Sequence, residues 1–538
     1  MAALLCLLLL AGCGGGSEPT GTPEVTPAPD MGSEPVPGGS ITISMPEGTK
    51  LGNPLTAATR ELNSIYGLVF ESLLELDETG NPVPCLAETW ESEDGLTWTF
   101  KLRTGVKWQE TGRALDANDI KFTMDQIKEL GKDMPWYYIT NYIKTWDAGA
   151  DGTFVIELKK PFYGVLQALT FPVLPAEYGY ENGGAPATPV GTGPYKVTGQ
   201  QEKEIDLAVN ADWWKKPPYI TDIKAVAYPD NATAVSTLVL GGQLDAVQTE
   251  DLTVAQYKES GVANVYEYRT RYLEFMAFNF GSQDVREKLI RQAIAYAIDR
   301  SEIVSYTYVN HATVADTPVP PESWLYDGKV IKYSYNVDEA KRLIKLAGWE
   351  DNYDAEGKPG TDGYWDTSPD GTKRNLTLTL LTNRDENNTI RNDAANLMAD
   401  QMAKAGIKVE IQAESWDDYK NMIKEKRFDI VLTSCYLSPI PDYRFLLGTG
   451  GLLNIGGYSS SEMDTLLDKV IESPKSDSLK VNIAALQNAI IDELPIMCLY
   501  FRTHSLLTST GLKSVTGSVS GAREESAFAK ISQWYVPQ

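Results

Sequence analysis

Bond-making chemistry needs reactive side chains at set spacings, and this 538-residue chain supplies few of them. After Cys13 the remaining cysteines are Cys85, Cys435 and Cys498. An odd trio without C-x-x-C spacing gives neither a disulfide framework nor a zinc site. Two histidines, His311 and His504, are too few and too separated for a His-based metal centre. The hydrolase elbow G-x-S-x-G is absent, since "GSVSG" at 517–521 has the wrong spacing, and no P-loop or G-x-G-x-x-G follows a strand-like run. The acid-rich loop "DNYDAEGKPGTDGYWD" (Asp351–Asp366) lacks Gly at its sixth position and Glu at its twelfth, which departs from a calcium-binding EF-hand. A surface hydrolase with paired carboxylates has only the abundance of acids behind it. The sequence therefore points away from an enzyme, with no cofactor and no metal expected. What it offers in quantity is aromatic surface, with 28 Tyr, 13 Phe and 12 Trp. Tyr and Trp make flat, partly polar walls for a ligand pocket, although they also fill cores.

Ahead of any folded body comes an apolar run and then a tether. Met1 to Ala11 is apolar almost throughout, far shorter than the roughly 20 residues of a bilayer span, and suited to a secretory h-region of about 7–15 residues. Leu10-Ala11-Gly12-Cys13 resembles the lipobox of bacterial lipoproteins, although no Lys or Arg precedes the run. That resemblance implies a signal peptide over 1–12 and a lipid on Cys13. Residues 14–40 are mostly Pro, Gly, Thr and Ser with scattered acids. Such composition cannot offset the entropy of ordering. As a flexible coil of about 26 residues it reaches on the order of 28 Å, so 13–40 reads as a lipidated tether. The apolar pattern of a fold begins at "ITISM" (Ile41–Met45).

The folded part, about 500 residues, is too long for one core and predicts two to four domains. A net charge of −25 argues against nucleic acid as a partner, because phosphate binding needs Lys and Arg surfaces. Thr97–Trp108 alternates as a strand with a turn around Gly105, and Asp116–Leu130 has helical spacing behind an Asp cap. "FPVLP" is strand-like, Ala232–Val247 reads as a helix leading into a short strand, and Val285–Val304 as one long helix. From 375 to 435 strands alternate with crossover-length helices, the pattern of an α/β layer. Leu494–Thr510 is a long strand-like run that would cross between two lobes. The Trp213-Trp214 pair is expected to pack rather than to stack on a ligand.

Several stretches, in order, resemble family 5 extracellular solute-binding proteins, the peptide- and dipeptide-binding components of ABC importers. They are Pro84–Asp125, "VGTGPYKV" (Val190–Val197), "NADWWKKPPYITDI" (Asn210–Ile223), "VREKLIRQAIAYAIDR" (Val285–Arg300) and "AKRLIKLAGW" (Ala340–Trp349). The resemblance implies an α/β fold of the two-lobed periplasmic-binding-protein-like kind (type II, cluster C) with an extra domain inserted in lobe I. Projected here, lobe I takes 41–75, 187–275 and 505–538, the extra domain 76–186, and lobe II 276–504. It also implies a monomer outside the cytoplasmic membrane or in the periplasm that captures a small solute and delivers it to permease subunits. A surface receptor, sensor or adhesin built on the same fold is the alternative.

In oligopeptide binders of this family a Trp-x-x-Asp follows the "FD" strand, and its Asp pairs with the peptide's ammonium. Here that stretch is "FDIVLTSCYLSPIPDYRFL" (Phe428–Leu446). It puts Cys435 at the Trp position and Ser438, or Leu437 with a one-residue shift, at the Asp position. The basic positions of some oligopeptide binders fall on Ile423 and Leu432, while Trp416 sits where those binders have a cleft Trp. Asp442 is either a displaced acid or a helix cap, and the cap is preferred. The pocket so inferred is aromatic and hydroxyl-rich: Trp416, Cys435, Tyr436 and Ser438 from lobe II, with Glu47, Asn63 and Tyr66 from lobe I. Asn383, Arg384 and Arg391 follow a strand end, where α/β sheets bind ligands. Such a lining suits a neutral or sugar-like ligand, or a peptide held through its backbone.

Overall fold

Apolar periodicity sorts the strands into two kinds, alternating half-buried ones such as Ser40–Pro46 and nearly continuous apolar ones such as Ile430–Tyr436. In the computed structural model, which describes residues 35–57, 59–330, 333–351, 363–384, 389–515 and 527–537, most of them join one eleven-stranded sheet. Its order is Lys408–Glu414, Thr377–Asn383, Ile430–Tyr436, Asn264–Phe278, Ile496–Thr508, Ala246–Thr249, Ser40–Pro46, Asp222–Tyr228, Glu204–Val209 and Tyr195–Gln200, with Ala312–Val314 added to Ile496–Thr508. Thr377–Asn383 runs parallel to both neighbours at one end, and Ser40–Pro46 does so towards the other. These parallel groups, each with its crossover helices, form the two α/β lobes. Between them Asn264–Phe278 and Ile496–Thr508 run antiparallel and carry the chain across. Their register slips between Arg269 and Leu273 and again at Glu274/Phe275, bulges that bend and twist the crossing.

A separate four-stranded antiparallel sheet, Ala87–Glu91, Thr97–Leu102, Phe154–Leu158 and Ile143–Ala148, carries helix Ala117–Leu130. Asp116 and Asp119 close a capping box at the start of that helix. This small sheet's region meets both lobes. Towards lobe I, the Gln109 N–H donates to Gly191 O at 3.0 Å, and Gly191 and Gly193 of "VGTGPYKV" let that segment approach the end of helix Arg60–Val69. The Gly193 N–H donates to Val69 O at 2.9 Å, and a Cβ on Gly191 would lie 1.9 Å from that oxygen. Towards lobe II, the Tyr142 hydroxyl donates to Asp442 at 2.7 Å and the Tyr163 N–H donates to Ser473 O at 2.7 Å. One apolar core accordingly runs without a break from Ile41 through Phe100 and Phe154 to Ile483. A second lies under the helices of lobe II around Ile294, Leu380 and Met398.

Two expectations change. Val285–Val304 is not one helix but three pieces, Gln283–Arg286, Lys288–Ala297 and Arg300–Thr307. Asp299 accepts from the N–H groups of Ser301 and Glu302 and so starts the last piece afresh. "FPVLP" makes only an isolated bridge from Pro172 to Ser72, because its prolines have no N–H to give a ladder. Cys13, the signal peptide and most of the Asp351–Asp366 loop lie outside the described residues. Among the described residues no helix is long and apolar enough to cross a membrane.

Candidate functional site

Helix Arg60–Val69 starts at a Thr59 cap and presents Asn63 and Tyr66 to a cavity of about 420 Å³. The volume falls within the roughly 300–1,000 Å³ of small-molecule sites. Trp136 from the small sheet's region, Phe528 to Gln533 near the C-terminus, and Arg271 from the first crossing strand complete the wall. The Tyr66 hydroxyl accepts from the Gly52 N–H at 2.6 Å, and burial pushes its pKa up to about 12. Trp136 is buried, and its indole N–H has no hydrogen-bond partner among the described residues. Arg271 and Leu76 also line a second cavity of about 60 Å³, where Ser438, Leu437 and the Arg269–Glu322 pair face them. Ser438 Oγ accepts from the Ile440 N–H at 3.2 Å.

At the floor of the larger cavity lies Glu71. Its carboxylate accepts from the indole N–H groups of Trp213 and Trp214 at 3.2 and 2.8 Å and from the Thr192 hydroxyl at 3.0 Å. Lys215 stands 3.6 Å away, with Glu75 on its other side. Burial raises the Glu71 pKa against the pull of that lysine and those donors. The Trp pair thus anchors a carboxylate from below, and Trp213 also lines the cavity, which a purely packing role did not anticipate.

One residue further along each strand, the antiparallel pair Asn264–Phe278 and Ile430–Tyr436 carries a different kind of wall. Tyr272 follows Arg271 and Tyr436 precedes Leu437; their rings meet edge to face at 5.2 Å. Both are partly exposed, and Trp416, the first residue of helix Trp416–Lys424, is 50% exposed. Behind them Glu274, 3% exposed, accepts from two guanidiniums: from Arg391 Nε and Nη2 at 3.0–3.2 Å, and from Arg502 Nε at 2.9 Å as well as its Nη2. Arg391 also donates to Asn383 and to the Ser434 hydroxyl. Burial alone would lower the pKa of both arginines, and the Glu274 carboxylate outweighs it, so both lie above the ordinary arginine value.

The inferred residues thus divide. Asn63 and Tyr66 line the larger cavity and Ser438 the smaller one. Trp416 and Tyr436 are exposed at the strand ends, and Asn383 is buried against Arg391. Arg384 is exposed, its backbone N–H donating to Glu414 O at 2.6 Å. Cys435 is buried in the core, because strand alternation turns it away from Ser434 and Tyr436, and burial pushes its thiol up to about 12. Glu47 is exposed, pairs with Lys203 at 3.1 Å and lines neither cavity. Asp442 is neither a cavity acid nor the cap of the short helix Arg444–Leu447, whose N-cap is Tyr443; it accepts from the backbone N–H and guanidinium of Arg444 and from the Tyr142 hydroxyl. Sequence reasoning missed Arg271, Trp136, Glu274 and Arg502. The last two had a signal: each is a charge inside an apolar run, "YLEFMAF" and "LYFRTHSLL".

Comparison with known proteins places this geometry. The sequence matches the bacterial extracellular solute-binding proteins, family 5 Middle, over residues 81–455. It is 25% identical to the oligopeptide-binding protein AppA of Bacillus subtilis over 95% of this chain and 94% of that one. It is also 25% identical to the dipeptide-binding protein of Escherichia coli, covering 66% and 67%. Among solved structures, the ABC transporter substrate binding protein CtaP of Listeria monocytogenes superimposes with a TM-score of 0.75 at 21% identity, over 93% of this chain and all of that one. AppA of Bacillus subtilis in complex with a nonapeptide gives 0.62 at 23% identity, over 94% and 100%. With the two lobes and the crossing strands, the match over most of the chain means that this protein belongs to the family 5 bacterial extracellular solute-binding proteins.

Proposed function

We propose that this protein captures a peptide along the two neighbouring cavities, the larger walled by lobe I and the small sheet's region and the smaller reaching lobe II, and hands it to the permease of an ABC importer, held at the membrane by a lipid on Cys13. No bond in the ligand is made or broken; the binding energy comes from closing two lobes over a guest and excluding water. The observation that carries the reading is the cavity of about 420 Å³, walled by both an α/β lobe and the inserted sheet and reached by the crossing strand through Arg271. Its Asn63 and Tyr66 offer neutral hydrogen-bonding groups, which suits backbone amides. Relatives named as oligopeptide- and dipeptide-binding proteins support a peptide, and the family's proteins work outside the cytoplasm.

The test is a titration of the purified protein with peptides of two to nine residues, followed by tryptophan emission and by native mass spectrometry. A saturable one-to-one complex is expected, with Trp416→Phe removing a large part of the emission change while leaving the melting temperature within about a degree, as for an exposed side chain. No complex at any length overturns the proposal.

A further inference from the structure

The two cavities differ in size and in lining. The smaller, about 60 Å³, has room for a few water molecules and none for a bulky side chain. Its wall is rich in charge, with Glu78, Arg269 and Glu322. The larger, about 420 Å³, is aromatic. Tyr66 and Phe70, at the end of helix Arg60–Val69, meet Trp136, Trp213 and Phe528 there. The wall is preformed: Tyr66 packs edge-on to Phe70 at 5.9 Å, and Phe528 edge-on to Trp534 at 5.8 Å. Its carboxylates and ammonium groups are already matched. Lys215 pairs with Glu71 and Glu75 and stands 5.3 Å from the centre of the Trp213 ring, while Lys530 pairs with Glu78. Arg271 lines both cavities and so belongs to their boundary.

One polar group in the aromatic wall is left over. Trp136 is 9% exposed, and its indole N–H lacks a hydrogen-bond partner among the described residues. No other described residue of this cavity has a buried side-chain nitrogen or oxygen in that state. An unpaired buried donor destabilises the empty protein, and an oxygen of a bound ligand relieves it. We infer that the larger cavity receives a neutral aromatic side chain of the peptide, and that Trp136 donates its indole N–H to an oxygen of that ligand. The inference rests on the proposed peptide-binding function and names the side chain that the site selects. A flat ring gains edge and face contacts among the other rings. A charged side chain would lose its hydration there without gaining a free partner. The smaller cavity takes the neighbouring stretch of peptide, so the preference is confined to one position.

The oxygen has two sources, a backbone carbonyl or the hydroxyl of a tyrosine side chain. The experiment takes an alanine peptide of a length that binds and replaces each position in turn by Phe, Tyr, Lys or Glu. Affinities are measured by calorimetry on the full protein, on Trp136→Phe and on Thr170→Trp. At one position Phe is expected to bind about ten- to a hundredfold more tightly than Ala, and Lys and Glu no more tightly than Ala. Thr170 lines the same cavity, so Thr170→Trp fills it and closes that gap. Trp136→Phe keeps a ring without the N–H and is expected to weaken aromatic peptides about three- to tenfold. Equal loss for Phe and Tyr assigns the carbonyl, and loss for Tyr alone assigns the hydroxyl. No loss for either overturns the role given to Trp136. Equal affinities of Phe and Ala at every position, or tighter binding of Lys or Glu than of Phe, overturn the inference and leave the proposed function standing. Failure of every length to bind overturns the proposed function itself. The comparison on the unaltered protein keeps the test valid should either variant fail to fold.

Discussion

Two buried glutamates sit at the two sides of the cleft, and the protein treats them differently. Glu71, under the cavity, is held mainly by neutral donors, two indoles and a hydroxyl, with one lysine that it shares with Glu75. Glu274, at the lobe II wall, is gripped by two guanidiniums. Both carboxylates are satisfied, so satisfaction does not separate them. What separates them is the balance around each. The Glu71 cage is closed, with its donors turned inward, and it shapes the cavity floor. The Glu274 cluster is overcompensated, and the excess emerges on Arg502. A buried acid in a binding protein can thus serve as framework or as the holder of an exposed partner, and counting the charges around it tells which.

The largest effect that tests this contrast is removal of Glu274. Glu274→Ala leaves two mostly buried guanidiniums without their counter-ion, which is expected to cost about 3–5 kcal/mol of unfolding free energy by chemical denaturation. A cost below about 1 kcal/mol would mean that solvent already screens the cluster.

Glu71→Gln is expected to cost less, about 1–3 kcal/mol, because an amide has one oxygen for three donors but no bare charge is left behind. Lys215 keeps Glu75. A larger loss of stability than for Glu274→Ala would break the contrast between the two clusters.

Much of the scaffold behind these two sites was legible in the sequence. The α/β alternation between 375 and 435 could be read because each helix lies next in sequence to the strand it covers. The crossing strand Ile496–Thr508 showed itself as a long strand-like run, apolar on both sides of "RTHS". The site was less legible, for two reasons. Glu274 lies 117 residues from Arg391 and 228 from Arg502, so no local spacing connects them. Cys435 and Tyr436 are adjacent, and only the face of the strand, not the family position, decides that one is core and the other wall. The break at Asp299 shows a similar limit: apolar spacing persists across it while a side-chain cap restarts the helix.

The smallest expected effect uses a reporter already in place. His504 lies two residues beyond Arg502 on the same strand; it contacts Arg60, and its Nε2 is 3.3 Å from Glu250. Burial, with Arg60 and Arg502 adding to it, depresses its pKa to about 2. The unfolded chain protonates this imidazole near pH 6.5, whereas the folded one resists it. The stability that neutral His504 contributes is therefore complete above about pH 6.5 and is lost as pH falls towards 2, with a slope of at most about 1.4 kcal/mol per pH unit for one proton. With only two histidines in the chain, the imidazole resonances can be followed singly by NMR. One is expected to stay neutral through pH 5, and Arg502→Gln should raise its midpoint by removing one of the two positive charges beside it. Titration of both histidines near 6.5 would show that the surplus charge of the Glu274 cluster does not extend along the strand, and the contrast with Glu71 would then rest on stability alone.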